Sequence, residues 1–148
     1  MKKTNTFFLP AIIGFSLFLP SCSHPEEVIP APEPLDKTVV FQVYGQQDFS
    51  YSQFGEEKVT VELVISRMNK DVADAAVQVV FDSTFTMALK DIPVRANRLY
   101  IRKTIPAVLD SKEEVHIGTG YTYRQSSFGK NQTFPAGQQE KQVELIIY

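Results

Sequence analysis

The stretch from Val59 to Ser66 reads VTVELVIS, and its pattern decides the fold class. The odd-numbered positions, from Val59 to Ile65, are all apolar, while three of the four even-numbered positions are polar. An apolar residue at every second position buries one face of a β-strand and leaves the other in water, whereas a helix needs an apolar stripe with a period of about 3.6 residues. The stretch therefore predicts a half-buried β-strand.

The same alternation recurs on both sides of this stretch, in runs rich in β-branched and aromatic residues. The positions on the predicted buried face of these runs are Val39, Phe41 and Val43; Val77, Val79 and Phe81; Leu99 and Ile101; Val115, Ile117, Thr119, Tyr121 and Tyr123; and Val143, Leu145 and Ile147. A less regular run over Phe85, Met87 and Leu89 brings the number to seven. The best helical candidate is a single turn within Asn69 to Ala76.

Seven short strands separated by turn-forming residues predict an all-β domain in which two sheets pack as a sandwich. A closed β-barrel is the alternative architecture. We place this domain at residues 37–148, which is 112 of the 148 residues and a suitable length for a single domain.

The composition argues against several functional classes. The formal net charge is −2, which does not suit electrostatic binding of nucleic acid. The one cysteine closes no intramolecular disulfide and cannot build a cysteine-rich zinc site. The two histidines, His24 and His116, are too far apart in sequence to form an HxxxH-type ligand pair. We therefore predict neither a metal ion nor another cofactor.

No catalytic constellation is evident in the sequence. The GxSxG, Walker and HExxH patterns are absent. His116 alternates with Val115 and Ile117, so we expect it to face solvent rather than to activate a nucleophile. The adjacent carboxylates of Glu56 and Glu57 diverge on an extended chain and cannot flank one glycosidic bond. The expectation is a protein that is not an enzyme.

The N-terminus carries the features of a bacterial export signal. Lys2 and Lys3 precede an uncharged, largely apolar stretch that is too short to span a bilayer as a helix. The stretch ends in Leu19-Pro20-Ser21-Cys22, which resembles a bacterial lipobox. That resemblance implies a signal peptide over residues 1–21 and a lipidated Cys22 as the mature N-terminus, so that the membrane is a partner of the chain. The alternative is a plain secretory signal with a chance cysteine near the cleavage site.

Residues 22–36 are interpreted as the lipidated cysteine and a linker. Four prolines between Pro25 and Pro34 favour an extended, semi-rigid tether that cannot join a sheet. The pair Glu26-Glu27 resembles the acidic surface-export signals of lipoproteins in Bacteroides-type bacteria, and an ordinary acidic linker is the alternative. We therefore expect an outer-membrane lipoprotein exposed at the cell surface, or alternatively one that faces the periplasm.

The second half of the domain resembles Calx-beta-like domains. The resemblance rests on Gly120-Tyr121-Thr122-Tyr123 followed by Thr133-Phe134-Pro135-Ala136-Gly137 and the alternating run through Val143 to Ile147. It implies an immunoglobulin-like, antiparallel β-sandwich of about seven strands. Related sandwiches are common in surface lipoproteins of Bacteroides-type bacteria, often beside glycan-uptake systems.

Two clusters are candidates for ligand binding. Tyr44, Phe49, Tyr51 and Phe54 could form an aromatic platform for a sugar, or could simply pack in the core. A cationic patch is the second cluster, and charged protection of a strand edge explains it equally well. Its members are Arg95, Arg98, Arg102 and Lys103.

These observations favour a membrane-anchored, non-catalytic binding or scaffolding module. Its expected partners are a glycan or another protein of a surface complex, with a place beside a glycan-uptake system. The alternative is a structural lipoprotein of a secretion, conjugation or pilus apparatus, in which partner strands pair with the edges of its sheets.

The anchor can be tested by removing the thiol that would be acylated. Cys22→Ser should release the protein from the membrane fraction or leave its precursor uncleaved, because the hydroxyl cannot replace the thiol in the lipid transfer. Cell fractionation with immunoblotting measures this. A variant that is processed and stays in the membrane pellet like the parent would contradict the lipoprotein assignment.

Overall fold

A computed structural model describes residues 33–72 and 75–148, and these residues form an all-β sandwich. The seven strands are β1 (Leu35–Gly45), β2 (Lys58–Asn69), β3 (Gln78–Ala88), β4 (Leu99–Val108), β5 (Glu113–Tyr123), β6 (Ser126–Thr133) and β7 (Glu140–Ile147). Two single 3-10 turns, Leu89–Asp91 and Arg95–Asn97, lie between β3 and β4. The predicted fold class is confirmed, and the first strand begins two residues before the predicted domain start.

The strands form two sheets of unequal size. One sheet has the order β4-β1-β7, and the other has the order β3-β2-β5-β6. Four of the five strand pairs are antiparallel, as the resemblance implied, but β1 and β7 are parallel. β7 runs in the same direction as β1 because the chain crosses from β6 in one sheet to β7 in the other.

The core lies between the two sheets, and the alternation in the sequence fills it. All four odd-numbered residues of β2, from Val59 to Ile65, are completely buried. β1 contributes Val39, Phe41 and Val43, while β5 contributes Val115 and Ile117 and β7 contributes Val143 and Ile147. The apolar residue at every second position of the sequence therefore identified the buried face of each of these strands correctly.

The predicted and observed strands differ at two places. The two runs predicted around Val79 and Phe85 belong to one strand, β3, and Val79 within it is exposed, as is Val77 just before it. A bulge opposite Ile65 and Ser66 shifts the register of β3. As a result Val80, and not Val79, packs against the core. β6 was missed because its sequence, SSFGKNQT, has a single large apolar residue and lies at the edge of its sheet.

Several sequence-based predictions fall on residues outside the described ranges. These are the signal peptide at residues 1–21, Cys22 and the linker up to residue 32. The helical turn expected within Asn69 to Ala76 is not seen in its described part, because Asn69 ends β2 and residues 70–72 and 75–76 are not helical.

A buried lysine fixes the end of the sandwich at which β1 begins. Lys37 is 1% exposed, and its ammonium group donates to the carbonyl oxygens of Pro135 (3.0 Å) and Gln138 (3.1 Å). The same group lies 2.9 Å from Oδ1 of Asp110 and 4.5 Å from the ring centroid of Phe134. Every proton of the ammonium group thus has an oxygen partner, which makes the burial of its charge tolerable.

Asp110 is the other half of this cluster. Its Oδ2 accepts a hydrogen bond from the Gly137 amide at 2.7 Å. Burial alone would raise the pKa of Asp110, but the Gly137 amide and the Lys37 ammonium together hold that pKa below its ordinary value. Gly137 has φ = 75°, so the turn before β7 uses the left-handed region that glycine adopts without strain.

Lys37→Ala should lower the free energy of unfolding by about 3 kcal/mol, at the low end of the range for breaking a buried ion pair, because Asp110 retains some solvent. Urea denaturation of the two proteins measures the difference. Lys90→Ala is the matched control, since Lys90 pairs with Glu56 in an exposed position and its removal should leave the midpoint unchanged. Equal midpoints for Lys37→Ala and the parent would show that the buried cluster contributes nothing to stability.

Candidate functional site

The outer face of the four-stranded sheet carries a shallow trough that runs along β5. The trough has a volume of about 540 Å³ and begins beside His116. β2 forms one wall with Glu62, Val64 and Ser66, and β6 forms the opposite wall. The side chains that β6 contributes to that wall include Ser127 and Asn131.

Glycines create the trough by leaving the middle of the sheet without side chains. Gly118 lies between Val64 and Asn131 across the strands, and Gly120 lies directly opposite Gly129. A Cβ at Gly120 would approach the carbonyl oxygen of Phe128 to 3.0 Å, so a side chain there would require β6 to move by a few tenths of an ångström. A Cβ at Gly129 would meet only a backbone oxygen at 3.6 Å, which is an ordinary contact.

The trough combines several hydrogen-bonding groups with a comparable amount of apolar surface, to which Val64 and Phe128 contribute. The carboxylate of Glu62, the hydroxyls of Ser66 and Ser127 and the amide of Asn131 all line it. At its end, Nε2 of His116 lies 3.6 Å from a carboxylate oxygen of Glu114, beyond hydrogen-bond distance. Such a surface can hold a polar ligand by many weak contacts.

The four aromatic residues predicted to form a platform do not share one exposed surface. Phe49 is 6% exposed and belongs to the core, where its ring packs against the backbone of Gly45. Tyr44 is 3% exposed on the outer face of the three-stranded sheet, beneath the guanidinium groups of nearby arginines. Tyr51 is 94% exposed, and Phe54 is partly exposed in the same loop. Phe49 therefore packs in the core, whereas Tyr44 is covered by arginines outside it.

Arg124 fastens the loop of Phe54 to the turn between β5 and β6. Its guanidinium group donates to both carboxylate oxygens of Glu57 at 2.7 Å and lies over the rings of Phe54 and Tyr123. The Tyr123 hydroxyl donates to the same carboxylate at 2.6 Å. Arg124 has φ = 56°, a left-handed conformation that these contacts help to hold. The aromatic ring of Phe54 is therefore occupied by an arginine of the same chain.

The four cationic residues are largely paired and do not form a free patch. Arg98 donates to the Gln42 side chain at 2.6 Å, and Arg102 donates to the Glu140 carboxylate at 2.9 Å. Lys103 lies over the ring of Phe81, with Nζ 5.5 Å from its centroid. Arg95 lies over Tyr44. Protection of the β4 edge thus describes these charges better than anion binding does.

A second concavity, the β6–β7 cleft, opens between the edges of the two sheets. It has a volume of about 260 Å³ and is lined by Tyr121, Phe128, Leu145 and Tyr148, among others. The rings of Tyr121 and Phe128 stack with their centroids 4.9 Å apart. Phe128 is 52% exposed and Tyr148 is 68% exposed, so the cleft presents apolar surface to solvent.

Sequence reasoning missed both concavities. The alternation Gly118-x-Gly120 on the outward side of a regular strand was the available signal for the trough, because a strand interior seldom omits two side chains on one face without a reason. The β6–β7 cleft had no comparable signal, since it depends on how β6 and β7 approach each other.

Comparison with known proteins found no matching family model, curated protein or solved structure. Within the described ranges, the structure contains no helix long and apolar enough to cross a membrane. Across the same residues, no group of three or more potential metal ligands converges.

The Glu57–Arg124 contact predicts a specific dependence of stability on pH. Hydrogen bonds from Arg124 and then Tyr123 lower the pKa of Glu57 from 4.5 to about 2. A carboxyl group with a lowered folded-state pKa stabilises the fold above its unfolded pKa, and this contribution disappears as the pH falls from about 4.5 towards 2. Glu57→Gln should therefore flatten the loss of stability across that window.

Urea midpoints measured at pH 6, 4 and 3 provide the comparison. Glu56→Gln is the control, because the neighbouring Glu56 side chain is 83% exposed, and it should keep the slope of the parent. If Glu57→Gln and the parent lose stability in parallel from pH 6 to pH 3, the contact does not stabilise the folded state.

Proposed function

We propose that the protein is a membrane-anchored lipoprotein of the outer membrane whose β-sandwich is a non-catalytic glycan-binding module at the cell surface. The observation that carries the proposal is the trough along β5, with its glycine floor and polar walls. We place the protein beside a glycan-uptake system because of the lipobox and the resemblance to surface sandwiches of Bacteroides-type bacteria.

The dimensions of the trough suit an extended, flexible ligand. Along β5 the trough is lined from His116 to Gly120, a distance of about 13 Å at the rise of a β-strand. A trough of this length, open along its top, accommodates a short oligosaccharide chain lying along the strand. Open ends would also admit a chain that continues on either side.

The chemistry of the walls suits hydroxyl groups. Glu62 accepts hydrogen bonds, Ser66 and Ser127 both donate and accept, and the Asn131 amide does so through its two different atoms. A sugar presents adjacent hydroxyls that donate and accept in the same way. The Val64 side chain adds an apolar contact for the hydrocarbon face of a ring.

The finer fold type is part of this proposal. We assign the sandwich to the immunoglobulin-like, Calx-beta-like kind, and the division of seven strands into sheets of three and four supports that assignment. Lipidation of Cys22, with the proline-rich linker as a tether, would hold such a module at the membrane.

A structural lipoprotein of a secretion, conjugation or pilus apparatus is the second candidate function. The free edge of β6 favours it, because eight residues of an edge strand offer unpaired backbone groups to a partner strand.

Blocking the trough tests glycan binding directly. Gly129→Gln places a side chain over the middle of the trough at a position where its Cβ has ordinary contacts. Full-length protein in detergent should bind members of a glycan array, and Gly129→Gln should reduce that binding at least tenfold. Because glycine in a strand interior stabilises the strand less than other residues do, the substitution should not lower the melting temperature.

Thr84→Gln is the matched control, since Thr84 lies on the outer face of β3 and does not line the trough. It should bind the same glycans as the parent. The proposal is wrong if the parent binds no glycan on the array, or if Gly129→Gln binds as tightly as the parent.

A further inference from the structure

We propose that the free edge of β6 and the β6–β7 cleft beside it form a docking site for an extended acidic peptide of a partner protein, which adds to the sheet as a fifth strand. The inference does not rest on glycan binding in the trough, because it uses the opposite face and the edge of β6.

β6 is the least protected of the four sheet edges. β4 carries Arg102, Lys103 and Pro106, and β3 contains a bulge and Asp82. The exposed edge of β7 bears three charged residues within five positions, from Glu140 to Glu144. β6 contains a single charge, Lys130, and no proline. Charges, prolines and bulges are the devices that discourage strand addition, so β6 is the edge at which addition is easiest.

The hydrogen-bonding register of β6 shows which backbone groups are available. The Phe134 amide donates to the Val115 carbonyl at 2.8 Å, which continues the β5–β6 ladder by one pair. Because bonded pairs alternate in an antiparallel ladder, the even-numbered residues of β6 direct their amides and carbonyls to β5. Ser127, Gly129 and Asn131 therefore direct theirs away from the sheet, where an added strand can pair with them.

The β6–β7 cleft receives the side chains on one face of such a strand. At one end it offers the exposed rings of Phe128 and Tyr148 above Leu145, a surface that an apolar side chain would cover. Lys130 lies two residues after Phe128 in β6 and is on the same face of the strand. Residues two apart on a strand share a face, so the site selects an apolar and an acidic residue separated by one position.

The charge of the cleft identifies an acidic partner. Lys130 and Lys141 both belong to this side of the sandwich, and neither forms an ion pair among the described residues. Burial, and then the proximity of Lys130, lower the pKa of Lys141 below its ordinary value. Glu144 also borders the cleft but lies 3.7 Å from Arg98 on the outer face. A carboxylate supplied by a partner would neutralise this pair of lysines.

A second copy of the chain fits this site less well. Edge-to-edge pairing of two β6 strands would bring together two segments that contain no aspartate or glutamate, so each Lys130 would stay uncompensated. Complementarity of charge therefore favours a different protein with an acidic strand.

Two synthetic peptides probe the site, one for each direction of the added strand: Ser-Val-Phe-Thr-Glu-Val-Ser and Ser-Val-Glu-Thr-Phe-Val-Ser. We expect one of them to bind the full-length protein in detergent and to shift the amide resonances of Ser127, Gly129 and Asn131. Gly129→Pro should abolish binding, because it removes an outward amide without breaking the β5–β6 ladder. Gly129→Ala retains that amide and should bind as the parent does.

A charge exchange tests the specificity. Lys130→Glu should weaken binding of the acidic peptide at least tenfold and should favour the same peptide with lysine in place of glutamate. The proposal is overturned if neither peptide binds at millimolar concentration, or if Gly129→Pro or Lys130→Glu binds the acidic peptide like the parent. Sedimentation that shows a dimer of the parent, dissociated by Gly129→Pro, would also overturn it by assigning the edge to a second copy.

Discussion

The ammonium group of Lys37 holds together parts of the chain that are about a hundred residues apart in sequence. It binds the carbonyls of Pro135 and Gln138 and the carboxylate of Asp110, so the start of β1 is fastened to the turn that precedes β7. That turn sets where β7 enters its sheet, and β7 then lies parallel to β1 over eight consecutive residue pairs. A neutral side chain at this position would leave the carboxylate without its cation and the carbonyls without donors.

The period-two pattern predicted most of the fold because burial of one strand face is a local property of the sequence. Val59 to Ile65 shows this in its simplest form, with every odd residue in the core. The pattern failed at β6, where an edge strand with few apolar residues satisfies its backbone on β5 alone. It also failed at β3, where a bulge exchanges Val79 for Val80 at the core. Both errors arise where pairing between strands, and not burial of the strand itself, decides the structure.

The candidate sites were harder to predict because they depend on missing side chains and on gaps between strands. The sequence suggested Tyr44 and Phe49 as ligand contacts, but Tyr44 is buried on the outer face of β1 and Phe49 is buried in the loop that follows β1. No functional role was predicted for Gly118, Gly120 and Gly129. Their positions opposite one another in β5 and β6 nevertheless open the trough. One strand, β6, borders both the trough and the β6–β7 cleft, and its two faces offer different chemistry. A polar ligand and a peptide strand would therefore occupy neighbouring surfaces that share Phe128, Gly129 and Lys130 in their linings.

The central position of β1 has a mechanical consequence. If the membrane anchor pulls on the domain, tension enters at the N-terminal end of β1 and acts along the axis of that strand. Hydrogen bonds to β4 and β7 cross this axis on both sides, so they resist the pull together in shear rather than opening one after another. Lys37 lies two residues inside the strand, directly after the contacts that Leu35 and Asp36 make with β4. The central position of β1 therefore makes the domain resistant to a pull applied at the N-terminal end of that strand.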